Sequence, residues 1–213
     1  MAKAEKCMII GAAPVRNSAV FDEFDPKEYF IICADGGYDT AVKYNISPDC
    51  IIGDFDSTKY NISEAKNVIK LPSEKDATDT MYAAYVGIKL GYKEFVLVGC
   101  LGGERFDHTY ANYNVMYYLI NNSANVIMAD EKSTVFMLKS RKLTLSQMKG
   151  KTVSVFPFGN SKCTVTYEGL KYPMNADTLS AGELLSGISN VIEADVASIK
   201  VSAGCALIIL LNN

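Results

Sequence analysis

The 213-residue sequence has no tryptophan and a single histidine, His108. With one imidazole, and none of the six cysteines (7, 33, 50, 100, 163 and 205) partnered at CxxC spacing, a Cys/His zinc site is not expected. Cys7, Cys33, Cys50 and Cys100 lie in or beside apolar runs, so free buried thiols in a reducing compartment are the expected state. There is no basic surplus. Lys and Arg number 21 against 24 Asp and Glu, a net charge of -3, which excludes a protein that coats nucleic acid or an anionic membrane. No apolar run approaches the ~20 residues needed to span a bilayer. Residues 7–15 are short and apolar after Lys3 and Lys6, but Glu5, Gly11 and Pro14 fit a first strand and loop better than an export signal. A cytoplasmic protein is expected.

What is present is core-forming material. Apolar residues make up 49% and charged residues 21%, which rules out disordered and collagen-like chains. The length suits one large domain or two compact ones. Up to about residue 130, short apolar runs alternate with helical patterns. The runs are 7–10, 29–34, 50–53, 68–71, 94–99 and 125–129. Several are apolar on consecutive residues, as in parallel strands covered on both faces. Two helices stand out. Residues 76–90 place Met81, Ala84, Tyr85 and Ile88 on one stripe and end at Gly91, and 107–120 place Ala111, Val115, Tyr118 and Leu119 on another. Helical periodicity then stops. The segments 134–138, 152–156, 163–167, 198–201 and 206–211 are β-rich and punctuated by Gly and Pro. The expected fold is a parallel-sheet, Rossmann-like α/β domain over 1–131 followed by a small antiparallel β-sandwich or barrel over 132–213.

In an open α/β sheet, ligands gather at the carboxyl ends of the strands. Four such loops carry Asp35-Gly36-Gly37, Gly53-Asp54-Phe55-Asp56-Ser57, the run from Ser73 to Asp79, and the run from Gly99 to His108. They bring Asp35, Asp54, Asp56, Asp76 and Asp79 to one edge with Lys75 and Arg105. Carboxylates packed that closely repel each other, and a hard divalent cation removes the conflict. Mg²⁺ takes one or two carboxylates and is completed by substrate phosphates, which Lys75 and Arg105 would meet. Gly102 and Gly103 let backbone N–H groups approach an anion. The ensemble reads as a Mg-nucleotide site. Each feature alone has a plainer reading: Asp76 or Thr78 as a helix cap, Asp35-Gly-Gly as a turn, His108 as a helix-start or core histidine. The coincidence of four loops carries the inference.

The motifs also resemble a known family. Ala34-Asp35-Gly36-Gly37, Pro48 and Gly53-Asp54-Phe55-Asp56-Ser57 resemble the first signature of thiamine pyrophosphokinases. Lys75-Asp76-Ala77-Thr78-Asp79 resembles the second, and the run from Gly102 to His108, with Ala111-Asn112, resembles the third. Gly187-Ile188-Ser189-Asn190 is similar to the Ser-Asn segment of their thiamine-binding domain. The resemblance implies an α/β catalytic domain, a β-sandwich that binds thiamine and dimerises, and a homodimer whose active sites use both protomers. It implies transfer of pyrophosphate from ATP to thiamine, giving AMP and thiamine diphosphate. Asp54, Asp56 and Asp79 would bind Mg²⁺, with Asp35 close by. Binding residues would be Asp35, Gly36, Thr78, Gly102, Gly103, Arg105, Asp107 and His108, with Ser189 and Asn190 helping to hold thiamine. In the implied reaction the thiamine hydroxyl attacks the β-phosphorus of ATP. Lys75 and Arg105 stabilise charge, and Asp76 or Asp79 accepts the proton. Some members carry an aromatic residue two positions after the Asn, where this chain has Ile192.

Two other readings compete. Asp54-Phe55-Asp56-Ser57-Thr58 fits the Asp-x-Asp-x-Thr pattern of haloacid dehalogenase-like phosphatases, with Asp54 as nucleophile and Asp56 as general acid. That motif normally follows a first strand, and here two strands precede it. A non-catalytic nucleotide- or thiamine-sensing module on the same scaffold is the other, since fold does not fix function.

Overall fold

The computed structural model describes residues 5–55, 58–60, 62, 67–74, 76–184 and 187–212. The chain divides into two compact units, 1–131 and 132–213.

In the first unit, strands β1 (Lys6–Ile10), β2 (Tyr29–Ala34), β3 (Cys50–Gly53), β4 (Val68–Lys70), β5 (Glu94–Val98) and β6 (Asn125–Ala129) run parallel in the order β6-β5-β1-β2-β3-β4. The chain therefore builds outward from β1 to β4, then crosses back to place β5 on the other side of β1. The gap between β1 and β5 is the topological switch point, where successive connections leave in opposite directions. Continuous apolar runs such as Cys7 to Ile10 and Ile31 to Ala34 are buried, as a sheet covered on both faces requires.

Among the described residues, the α-helices that accompany these strands are α1 (Ala19–Glu23), α2 (Gly37–Lys43), α3 (Asp79–Lys89) and α4 (Phe106–Asn121). Helix α3 starts at Asp79 rather than 76, because Thr78 caps it: Met81 N–H donates to Thr78 Oγ1 at 3.2 Å. Its buried face is Ala83, Ala84 and Gly87, one step round from the expected stripe, and Tyr85 is 47% exposed. Gly91, at φ +93°, ends this turn of chain in the left-handed region. On α4 the buried positions are Thr109, Asn112, Val115, Met116 and Leu119.

The second unit is a sandwich of two sheets. One joins β7 (Ser133–Lys139), β9 (Thr152–Pro157), β12 (Gly187–Val191) and β14 (Cys205–Leu211), and the other joins β8 (Lys142–Ser146), β10 (Lys162–Glu168), β11 (Met174–Ser180) and β13 (Val196–Ala203). Pairings within both are antiparallel. Strands of both sheets supply one core, with Val153, Val155, Ile208 and Leu210 from the first meeting Val165, Tyr167, Ile199 and Val201 from the second. All six cysteines are free and buried.

Candidate active site

The polar loops are set at the carboxyl ends of the strands by tight local geometry. Asp35 follows β2 with φ at +46°, a conformation that costs an L-residue energy and is held here by its neighbours. Its N–H donates to Ile52 O on β3 at 2.8 Å. Gly53 closes the same contact: a Cβ there would stand 3.1 Å from Asp35 Cα and 3.2 Å from its Cβ. A side chain there would press on Asp35, so the glycine eases the close approach of the end of β3, where Asp54 follows. Phe55 follows at φ +67°. Beyond it, Asp39 of α2 receives Thr58 Oγ1 at 2.7 Å and the N–H of Lys59, fixing where this loop returns. Asp56 and Lys75 lie outside the described residues.

Asp79 opens α3, where a carboxylate is favoured by the helix dipole. Asp76 is exposed just before it. The β5–α4 loop contains Gly102 and Gly103 at φ +69° and +83°. Two α4 side chains hold it: Thr109 Oγ1 donates to Gly102 O at 3.0 Å, and Asn112 Nδ2 donates to Cys100 O at 2.8 Å. Burial pushes the Cys100 thiol up to about 12, so it is no nucleophile at neutral pH. Arg105 is engaged with its neighbour. Nε donates to Asp107 Oδ1 at 2.9 Å and Nη2 to Oδ2 at 2.6 Å. This hydrogen-bonded guanidinium holds the Asp107 carboxyl down at about 2. Both side chains are mostly exposed, so the pair contributes little to stability.

The loops after β1, β2 and β5 and the segment leading into α3 line one cavity of about 540 Å³ at the switch point. Of the residues singled out in the sequence, Asp35, Asp76, Thr78, Asp79, Gly102, Gly103, Arg105 and His108 line it. Gly36, Asp54 and Asp107 do not: Gly36 caps α2, and Asp107 turns to Arg105. Thr78 lines the cavity while its hydroxyl is occupied by the helix cap, so both readings of that residue apply. Sequence reasoning did not single out Ala12, Ala13, Pro14, Thr80 or Thr109 as cavity walls, and it quoted Asn112 only as part of a motif. The first three have no reactive group, but they follow β1, and the carboxyl-end rule points to that loop as it does to the other four.

Asp35 and Asp79 each turn Oδ1 away from water. Shielded carboxylate oxygens in one polar cavity are the hard donors that Mg²⁺ prefers. Among the described residues no three His, Cys, Asp or Glu side chains gather closely enough to form a metal site by themselves.

In the second unit, Ser189 and Asn190 sit on β12 where its pairing with β9 shifts register. Ser189 has φ +58°, and its N–H donates to Ser154 Oγ at 3.0 Å. Asn190 is buried. Its Oδ1 accepts from Tyr172 N–H at 3.0 Å and from Val191 N–H at 2.9 Å, and its Nδ2 donates to Tyr172 O at 2.7 Å. The amide is thus spent on the backbone of Tyr172, whose ring is 57% exposed. Ile192 is 1% exposed in the core and offers no surface to a ligand.

Residues 21–128 match the family model described as thiamin pyrophosphokinase, catalytic domain, and 140–206 match that described as thiamin pyrophosphokinase, vitamin B1 binding domain. The chain belongs to the thiamin pyrophosphokinase family. It is 24% identical to thiamine pyrophosphokinase 1 of rice, over 85% of this chain and 79% of the relative. It is 27% identical to the Bacillus subtilis thiamine pyrophosphokinase over 75% and 76%. The fold is that of the crystal structure of the Bacillus subtilis enzyme, with a TM-score of 0.85, 21% identity and 98% and 99% of the two chains covered. The thiamin pyrophosphokinase structure from Candida albicans superposes with a TM-score of 0.80 at 16% identity, over 98% and 89%. Nothing in these likenesses favours a phosphatase or a sensing module, and Asp54 follows the third strand of the sheet rather than the first.

For a thiamin pyrophosphokinase chain the division of labour is legible in the matched spans. The acidic loops fall in the catalytic match and Ser189 and Asn190 in the vitamin B1 match, while Ala12, Ala13 and Pro14 precede both. Among the described residues no helix is long and apolar enough to cross a membrane.

Proposed function

We propose that this chain transfers the β,γ-pyrophosphoryl group of ATP to the hydroxyl of thiamine, releasing AMP and thiamine diphosphate. The observation that carries the reading is the polar cavity at the β1/β5 switch point, in a chain whose halves match a catalytic and a vitamin B1 binding domain. Asp54, Asp56 and Asp79 would hold Mg²⁺ with Asp35 adjacent, and bound there it would neutralise phosphate charge. The protein's own part is positioning. Lys75 and Arg105 meet phosphate oxygens, backbone N–H groups at Gly102 and Gly103 face anionic charge, and Asp76 or Asp79 takes the hydroxyl proton as the new O–P bond forms and AMP leaves. Gly36, Thr78, Asp107 and His108 complete the nucleotide side.

On the thiamine side, Asn190 acts through Tyr172, fixing the segment that presents an exposed aromatic ring, and Ser189 lies beside it. We assign Tyr172 as the aromatic that faces the thiamine rings on the strength of its exposure, with Ile192 buried and no tryptophan in the chain. Exposed Tyr172, Leu184 and Ile188 support pairing of the β-rich units into a homodimer. Light scattering at micromolar concentration is expected to give twice the chain mass. Six free thiols support a reducing, cytoplasmic setting.

The test is direct. The chain is incubated with ATP, Mg²⁺ and thiamine, and the products are separated by chromatography. AMP and thiamine diphosphate should appear in equal amounts, and neither without thiamine. A phosphorylated Asp54 would turn the assignment to the phosphatase class, and ligand binding without AMP would turn it to a sensing module.

A further inference from the structure

We infer that Thr109 and Asn112 are positioning residues that set the 100–103 turn to receive the phosphates of the nucleotide, an inference that rests on the kinase reading of this cavity. The two residues are three apart on α4 and therefore share a face. Each is 7% exposed, and each lines the cavity. The remaining buried positions of α4 below them are Val115, Met116 and Leu119, so polar side chains are buried only on the turns that face the cavity. A helix serving packing alone needs none there, since a buried polar group must find a partner.

Their partners are two carbonyls of one short turn. Thr109 Oγ1 takes Gly102 O, and Asn112 Nδ2 takes Cys100 O. In a trans peptide the N–H lies opposite its C=O. Capturing these two carbonyls therefore directs the N–H groups of Leu101 and Gly103 away from the helix side chains that hold them. It also ties down the negative ends of two peptide dipoles that would otherwise be free to face an anion. The left-handed backbone of Gly102 and Gly103 makes the turn possible, and the two side chains select which way its peptides face. Neither side chain carries charge, so any effect on a phosphate passes through the backbone.

Thr109→Val keeps the shape and removes the hydroxyl, whereas Thr109→Ser keeps it. Wild type and both variants are titrated with ATP and Mg²⁺ by calorimetry, without thiamine, and the thiamine KM is measured at saturating ATP. The expected result is about tenfold weaker ATP binding for Thr109→Val, recovery to within about twofold for Thr109→Ser, and an unchanged thiamine KM. Thermal melts run in parallel. If Thr109→Val loses its cooperative melt, Asn112→Leu is titrated in its place with the same expectation. Loss of the melt in both would assign these residues to folding alone and overturn the inference. It is also overturned if Thr109→Val binds ATP as wild type does, if Thr109→Ser behaves like Val, if the thiamine KM rises in step, or if wild type binds no ATP. Wild type that binds ATP yet forms no AMP defeats the kinase reading, and the Val and Ser pair still decides whether the turn holds nucleotide.

Discussion

The carboxyl edge of the first unit and the interior of the second are built from opposite materials. Along the edge the backbone enters left-handed conformations at Asp35 and Phe55, and Gly53 eases the close approach of the end of β3 to Asp35. Inside the sandwich, alternate residues of β9, β10 and β13 are apolar and buried in ordinary extended geometry. The edge sets charged side chains on strained backbone. The interior recovers stability by removing apolar surface from water. A change on the edge should therefore alter chemistry with little effect on folding, and a change in the sandwich the reverse.

The sharpest way to break that contrast is Asp54→Asn. AMP formation should fall by at least about 10³-fold, the scale of losing a main electrostatic contact in a preorganised site, while the melting midpoint stays within a few degrees or rises as repulsion is relieved. Near-normal turnover would remove Asp54 from the site. The mirror experiment is Ile208→Ala. Ile208 is fully buried between Phe136 and Val155 on the neighbouring strands. Its truncation should cost about 2–5 kcal/mol in denaturant unfolding, with kcat unchanged for the molecules that remain folded.

Asn190→Ala tests a residue on the boundary between these classes, because its side chain touches backbone while its neighbour is exposed. The thiamine KM should rise roughly ten- to hundredfold for hydrogen bonds worth about 1–3 kcal/mol, and the ATP constant should hold. Asn190→Asp keeps the acceptor for Tyr172 N–H, loses the donor to Tyr172 O, and should fall between. Equal rises for both substrates would make Asn190 a plain turn residue. The smallest effect belongs to Tyr167→Phe. Tyr167 is 3% exposed, and its hydroxyl has no hydrogen-bond partner among the described residues. Removing it should leave stability unchanged or raise it by about 1 kcal/mol, and a loss above that would reveal a partner for the hydroxyl.

The same contrast explains what the sequence made legible. Strands β2, β3 and β6 begin and end where their apolar runs do, because burial on both faces writes an unbroken signal. Strands β8, β11 and β12 were not read. Four consecutive residues of β11 are exposed, Ala176 takes φ +56° within it, and β12 breaks register at Ser189, so neither shows clean alternation. Helix α2 was hidden behind Gly36-Gly37, which reads as a turn, and α1 has only five residues to show a period. At the site, the charged loops announced themselves. Asn112 appeared only as part of a motif, because its contact, a hydrogen bond to the Cys100 carbonyl, is visible only in the fold. Asn190 was singled out as a thiamine ligand, whereas its side chain contacts the backbone of Tyr172, 18 residues away in sequence and visible only in the fold.

The six enclosed thiols give the chain an internal reporter. Burial raises every one of them; Cys163 and Cys205 are pushed up to about 11 in the sandwich, and Cys100 to about 12 in the cavity wall. A thiol that is both enclosed and protonated is inert to alkylating reagents until the structure around it opens. The rate at which each cysteine is labelled is thus a local opening rate, read by mass spectrometry without introducing a probe. Cys7, Cys33, Cys50 and Cys100 time the α/β unit, and Cys163 and Cys205 time the sandwich. Substrates that slow labelling at the first four alone would show that ligand binding tightens one half of the chain independently of the other.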